Sequence, residues 1–168
     1  LGTDYIDIFH FGWIRSKDES SLEAVLRLKE NGCIRHLAIS THNRKLAARL
    51  AIEWPIDVVM IRYNAANRVA EQELFPFLPE EGPGVVGFNA TRHRRLLRRP
   101  RGWNKDKPIP MPEDCYRFVL SHPKIDLCLA GPRNRGELDA IFRAVELGEL
   151  DQERYKWVRM FGDMVYGL

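Results

Sequence analysis

The sequence predicts a parallel α/β fold, and three observations carry that expectation. Short apolar runs with strand character alternate with stretches of helical spacing, five times in succession. The strand runs are mostly continuous rather than alternating in polarity, as expected of strands buried on both faces. The 168 residues are 45% apolar and 29% charged, ordinary values for a soluble folded domain with a sizeable core.

The first strand is expected over residues 5–11 (YIDIFHF). A polar stretch follows, and Ser20 with Glu23 reads as a capping box for a helix whose apolar face holds Leu22, Val25 and Leu26. Asn31-Gly32 supplies a helix stop. The second strand spans 34–40, and Asn43 caps the next helix, with Leu46, Ala47, Leu50 and Ala51 on its apolar face. The third strand spans 57–62. A short helix is expected over 71–78, crowded by Pro76 and Pro79.

The fourth strand spans 84–88 and runs into a long basic loop. Pro112 stands where a first-turn proline is favoured, and Cys115, Phe118, Val119 and His122 form a helical stripe. The fifth strand is expected over 125–130. Leu138, Ile141, Phe142 and Val145 mark another helix, closed by Gly148. Asp151 caps a last helix carrying Tyr155, Trp157, Val158 and Phe161.

Periodicity alone leaves a doubly wound sheet and part of a barrel both open. No GxGxxG follows a strand, and no GxxxxGK[ST] loop is present, which weighs against dinucleotide-fold and P-loop readings. The three cysteines, Cys33, Cys115 and Cys128, are odd in number and ungrouped. A disulfide scaffold, a zinc site and an iron–sulfur cluster are therefore not expected, and a reducing cytoplasmic setting is. No run is apolar and long enough for a membrane span. No signal segment opens the chain, which starts without Met and enters a strand at once, so it reads as cut from something longer. The net charge is a mild +3, but residues 92–105 hold seven Arg and Lys and no acid. With Trp103 the only aromatic among those charges, nucleic acid is the least favoured partner for this loop.

The motifs resemble those of the aldo-keto reductases. LGTDYIDIF is similar to the entry of that family's fourth strand, NGCIRHLAIS to its fifth, and DVVMIRYNAANR to its sixth with the Tyr-Asn turn behind it. GPGVVGFNATRHRRLL is similar to the seventh strand and its loop, and LCLAGPRN to the eighth with its phosphate-binding turn. The five motifs run in order along the whole chain. Their tone is closest to a bacterial and archaeal branch of oxidoreductases, some of which carry an appended iron–sulfur module.

The resemblance implies a (β/α)8 barrel of TIM type. Residues 1–168 would form a single partial domain of five β/α units and a C-terminal helix, with the N-terminal strands absent. A complete barrel needs ~250 residues. An open set of strands would expose two edges, which favour pairing or aggregation.

The resemblance also implies an NAD(P)H-dependent oxidoreductase that moves a hydride to or from a carbonyl or alcohol substrate. NADP(H) is its expected cofactor, with NAD(H) the alternative. Ser40 matches the residue that binds the nicotinamide carboxamide, and Thr41 replaces the family's Asn; both equally suit capping of the next helix. Met60 occupies the place of a Gln beneath the nicotinamide, or belongs to the barrel core. Phe88 stands where an aromatic ring stacks on the nicotinamide. Asn89, Ala90 and Thr91 fall where the loop meets the pyrophosphate. Gly131, Pro132, Arg133 and Asn134 open a helix whose free N–H groups favour an anion, with Arg133 suited to a 2′-phosphate. Trp13, Tyr63 and Asn64 would shape the substrate pocket.

The family's catalytic Asp, Tyr and Lys would precede Leu1. Its catalytic His falls on Gly12, while His10 lies two residues earlier and about 6.6 Å deeper at ordinary strand rise. The enzyme reading therefore has a rival: a non-catalytic cofactor-binding or partner protein on a degenerate barrel. On the enzyme reading, this segment alone would be inactive.

Overall fold

A computed structural model describes residues 2–14 and 19–166, and for Trp13, Glu19 and Ser20 it describes the backbone alone. The elements, in chain order, are β1 (Ile6–Trp13), α1 (Glu19–Glu30), β2 (Ile34–Ser40), α2 (Arg44–Glu53), β3 (Val58–Arg62), α3 (Ala70–Glu73), β4 (Gly84–Phe88), α4 (Pro112–Leu120), β5 (Leu127–Cys128), α5 (Arg135–Glu146) and α6 (Gln152–Tyr166). The five strands hydrogen-bond in sequence order, β1-β2-β3-β4-β5, with β1–β2, β2–β3 and β4–β5 parallel. Sequential strands in parallel order with helices between them are a run of right-handed βαβ units, the repeat of a (β/α) barrel.

Local chemistry explains most boundaries. Asn43 is in extended conformation and its Oδ1 accepts from Leu46 N at 3.0 Å, capping α2. Pro112 opens α4, and Asp151 Oδ1 accepts from Arg154 N at 2.7 Å at the start of α6. Where the structure departs from the sequence reading, the backbone shows why. The expected helix over 71–78 is only the single turn α3 followed by a 3₁₀ turn at Phe75–Phe77, because Pro76 has no N–H to continue the ladder. Ser20 lies inside α1, which begins at Glu19, so it is not the cap. β5 is shorter than expected because Ile125 N is already spent on the His122 carbonyl, in a turn.

β1 runs two residues past its expected end, through a bulge. Phe11 pairs with Ile39 and Trp13 with Ser40, leaving Gly12 as the extra residue. Gly12 has φ +24°, a conformation that residues with a Cβ rarely adopt. The bulge also breaks the alternation that would put His10 and Gly12 on one face. His10 is exposed, not buried deep among core side chains.

The chain divides into two compact units, Leu1–Ile61 with Val69–Val85 and Arg62–Arg68 with Val86–Leu168. In the first, Leu22, Leu37, Ile39, Leu50, Val59, Ile61 and Leu74 are fully buried between the strands and α1 to α3. In the second, Tyr63, Leu96, Phe118, Val158 and Phe161 are. The outer strands carry exposed apolar side chains: Ile8 on β1 is 56% exposed and Leu127 on β5 61%.

Asp57 ties the first unit together just ahead of β3. Its carboxylate accepts from Leu37 N at 2.7 Å and Lys29 Nζ at 2.5 Å, with His36 Nδ1 at 3.4 Å. Burial by itself would raise the carboxyl, but Lys29, the Leu37 N–H and His36 together hold it below its ordinary value. A depressed carboxylate stabilises the fold above its unfolded pKa and loses that contribution as pH falls through the folded one. Asp57→Ala is expected to lower stability by about 1–3 kcal/mol near pH 7, since the Leu37 N–H loses its acceptor. Urea titrations repeated toward about pH 3 should show the gap between parent and variant closing as the parent's carboxyl protonates. A gap that widened would contradict this account.

Candidate functional site

The second unit contains a cleft of about 410 Å³ at the start of α5, bounded by Thr91, Arg94, Arg98, Tyr116, Arg133 and Glu137 among others. A second cavity of about 500 Å³ shares Thr91, Arg94, Tyr116 and Gly131 with it and reaches Asn89, Ala90 and His93. The expected phosphate residues of the β4 loop and of the turn before α5 are therefore brought together.

Asn134 forms the turn. It is extended, and its Oδ1 accepts from Glu137 N at 3.0 Å, which opens α5. Gly131, Pro132 and Arg133 are exposed ahead of it. Glu137 turns its carboxylate back on the turn, accepting from Arg133 N at 2.9 Å and pairing with Arg94; Arg133 Nε lies 3.9 Å away. The carboxylate thus takes a position that suits an anion, at the positive end of a helix. The Arg98 side chain lines the same cleft, and no hydrogen bond or ion pair of its guanidinium occurs among the described residues. Three guanidinium groups and one carboxylate thus border the cleft, so the local charge stays positive. Burial, then Cys128, Cys115 and Glu137, push the Tyr116 hydroxyl above its ordinary range, so it is a neutral donor at physiological pH.

The β4 loop that carries Arg94 is held in an unusual backbone. Asn89, Arg92, His93 and Arg94 have φ of 63°, 49°, 50° and 67°. Each non-glycine residue there costs about 1–2 kcal/mol. Side chains compensate: Asn89 Oδ1 accepts from His93 N at 2.7 Å, Thr91 Oγ1 from Arg94 N at 3.3 Å, and Asn64 Nδ2 donates to Asn89 O at 2.9 Å. Two further cations of the loop are committed to carbonyls. Arg92 donates to the carbonyls of Val165 and Tyr166, and Arg99 to those of Asn104 and Lys107.

The other expected residues fall out differently. Ser40 and Thr41 are buried at the end of β2, and their hydroxyl protons go to the carbonyls of Gly12 (3.0 Å) and Ile14. Thr41 Oγ1 also accepts from Asn43 N at 3.1 Å, as a residue leading into a helix cap does. Met60 and Phe88 are half-buried near the C-terminal ends of β3 and β4. Tyr63 and Asn64, expected to shape a substrate pocket, are instead fully buried. The Tyr63 ring packs on Phe118 and His122, with centroids 5.9 Å and 5.4 Å away. Asn64 is used up in an Asx turn onto Ala66 N and in the bond to Asn89. The side chain of Trp13 lies outside the described residues.

Arg94, Arg98, Tyr116 and Glu137 were not read from the sequence. Glu137 had a signal, as it sits three residues after a capping Asn. Arg94 and Arg98 were visible only as members of a basic run. No group of three or more metal-ligating side chains occurs among the described residues. Nor is any described helix long and apolar enough to cross a membrane.

A chain of parallel strands alternating with helices in sequence order is part of a (β/α) barrel. The chain is a member of the aldo/keto reductase family, whose sequence model matches residues 1–102. The curated uncharacterized oxidoreductase YqkF of Bacillus subtilis (strain 168) is 29% identical over 102 residues, which is 60% of this chain and 33% of that protein. The apo and holo forms of aldo-keto reductase AKR11C1 from Bacillus halodurans match with TM-score 0.75 and 25% identity, covering 95% of this chain. The thermostable aldo-keto reductase Tm1743, solved with the inhibitor epalrestat, shares the fold at TM-score 0.70 and 22% identity. The chain spans 62% of the length of AKR11C1 and a third of YqkF.

Proposed function

We propose that this chain supplies the cofactor-phosphate end of an NAD(P)H-dependent oxidoreductase. The whole protein would move a hydride between the nicotinamide and a carbonyl or alcohol carbon of a small molecule. The observation that carries this reading is the cleft at the start of α5, where Arg94, Arg98 and Arg133 outnumber Glu137. Arg98 and Arg133 present planar forks to an anion, at the positive end of α5. That set favours NADP(H), whose 2′-phosphate needs a cationic partner, over NAD(H). That AKR11C1 has a holo form is in keeping with a cofactor site in this family, without bearing on the choice between NADP(H) and NAD(H).

The bound cofactor supplies the hydride. The protein's own residues orient it. By the family resemblance, Phe88 would offer an apolar ring for stacking, Met60 a deformable apolar side chain, and Ser40 and Thr41 lone pairs for a carboxamide N–H. Asn89 and Thr91 shape the loop that meets the pyrophosphate. Trp13 remains a substrate-side candidate. The free cysteines fit a cytoplasmic setting, with burial pushing Cys128 up to about 12 and so leaving it unreactive.

Gly12 supports a second reading. Its bulge occupies the family's histidine position, and His10 is a poor substitute, so a cofactor-binding protein without hydride transfer fits this residue better.

NADPH titration of the full-length protein, followed by fluorescence, tests the first reading. Arg98→Ala and Arg133→Ala are each expected to weaken NADPH by about tenfold or more, the worth of a charge-assisted hydrogen bond, and to weaken NADH much less. Absence of saturable binding, or binding indifferent to both substitutions, would remove the cofactor assignment. Saturable binding without turnover of any carbonyl compound selects the second reading.

A further inference from the structure

We propose that Arg62 anchors an anionic group of the substrate, a carboxylate or phosphate carried alongside the reacting carbonyl. This rests on the oxidoreductase reading above and names the substrate class it would serve. Arg62 is the last residue of β3, and barrel chemistry is built at the C-terminal ends of strands. Burial alternates along β3. Val59 and Ile61 are buried, while Val58, Met60 and Arg62 are half-buried, so Arg62 lies on the opposite face from the packed one.

Its Nε is enclosed and has no hydrogen-bond partner. Arginines that serve the architecture of this chain look different. Arg117 donates through Nε and Nη2 to the carbonyls of Leu147, Gly148 and Glu149. Arg68 shares an enclosed Nε without a partner, but its Nη groups are fixed on the carbonyls of Ala65 and Arg159 and on Asp163. A freely solvated arginine would not enclose its Nε. An enclosed Nε–H without an acceptor is unfavourable, and an incoming anion would supply one.

The surroundings reinforce this. Burial first, then the positive charges of Arg95 and Arg62, hold the Arg92 guanidinium below its usual value. Arg92 is itself committed to the carbonyls that end α6. Arg62 is thus placed to take a planar oxyanion through its fork.

The test uses the full-length protein with isotope-labelled arginine. Benzoate and phenyl phosphate are expected to shift the Arg62 Nε–H resonance saturably, while benzyl alcohol leaves it in place. Arg62→Met should weaken benzoate about tenfold, with Arg62→Lys keeping part of the affinity. Arg62→Met should also melt at the same or a higher temperature, because it removes an unsatisfied polar group. Its NADPH affinity should match the parent's.

No anion-dependent shift at Arg62 would overturn the proposal. So would a lower melting temperature in Arg62→Met, which makes the side chain structural, or a loss of NADPH binding in that variant, which makes the anion the cofactor's. Failure of the parent protein to bind NADPH sinks the oxidoreductase reading instead, and is read in a separate titration.

Discussion

Replacing Tyr63 with alanine is expected to destabilise the second unit by about 3–5 kcal/mol, the cost of removing a large ring from a closed core. The ring has no exposed surface and packs against Phe118 and His122. Phe118 in turn stacks on Tyr155, with centroids 4.7 Å apart and planes within 12°, so loss of one ring leaves a void beside another. Domain stabilities run about 5–15 kcal/mol, so the variant would sit near the threshold of folding. Urea unfolding, followed by the fluorescence of Trp103 and Trp157, measures the loss. A change within about 1 kcal/mol would mean that the core collapses around the gap or that the ring is not enclosed. Were Tyr63 a substrate contact, the same substitution would instead raise KM and leave the unfolding midpoint alone.

Tyr63 also shows where sequence reading succeeded and where it ran out. The strands over 34–40 and 84–88 were legible to the residue, since each is an apolar run closed by turn chemistry. The Asn43 and Asp151 caps and Pro112 were legible for the same local reason. Position after a strand points to Tyr63 as a pocket residue, but its parity along β3 carries the ring into the core. Val59, Ile61 and Tyr63 share one parity and are all buried, whereas Met60 and Arg62 share the other. Counting by two from Val59 puts Tyr63 on the packed face and Arg62 on the other.

The turn before α5 is legible as a helix start because its residues are contiguous and its physics is local: a capping Asn and a neighbouring Arg. Its partners are not. Arg94 and Arg98 come from a loop more than thirty residues earlier, and Tyr116 from α4. Only folding places them around α5. Gly12 is an intermediate case. The resemblance sets a histidine against Gly12, but the structural reason for glycine there, a bulge with positive φ whose carbonyl receives the Ser40 hydroxyl, is a matter of register between two strands.

A second core substitution has an expected sign opposite to the usual one. Gly162 lies inside α6, where alanine ordinarily gains about 1 kcal/mol over glycine. A Cβ at this position would fall within the carbonyl group of Ala65 and 2.9 Å from its Cβ. The obstacle is main chain, so it cannot rotate aside. That main chain is pinned as well: the Asn64 turn holds one side, and Arg68 bridges the Ala65 and Arg159 carbonyls across the contact. Gly162→Ala should therefore destabilise by about 1–3 kcal/mol, and Gly162→Val by more, as overpacking does. Gly136→Ala in α5 is the control, because its nearest neighbour, Asn134 Oδ1, is at an ordinary 3.5 Å. Thermal melts should place Gly162→Ala below the parent and Gly136→Ala level with it or above. A Gly162→Ala variant that melted higher than the parent would show that α6 does not press on the Ala65 backbone, and the close seat of this helix would have to be abandoned.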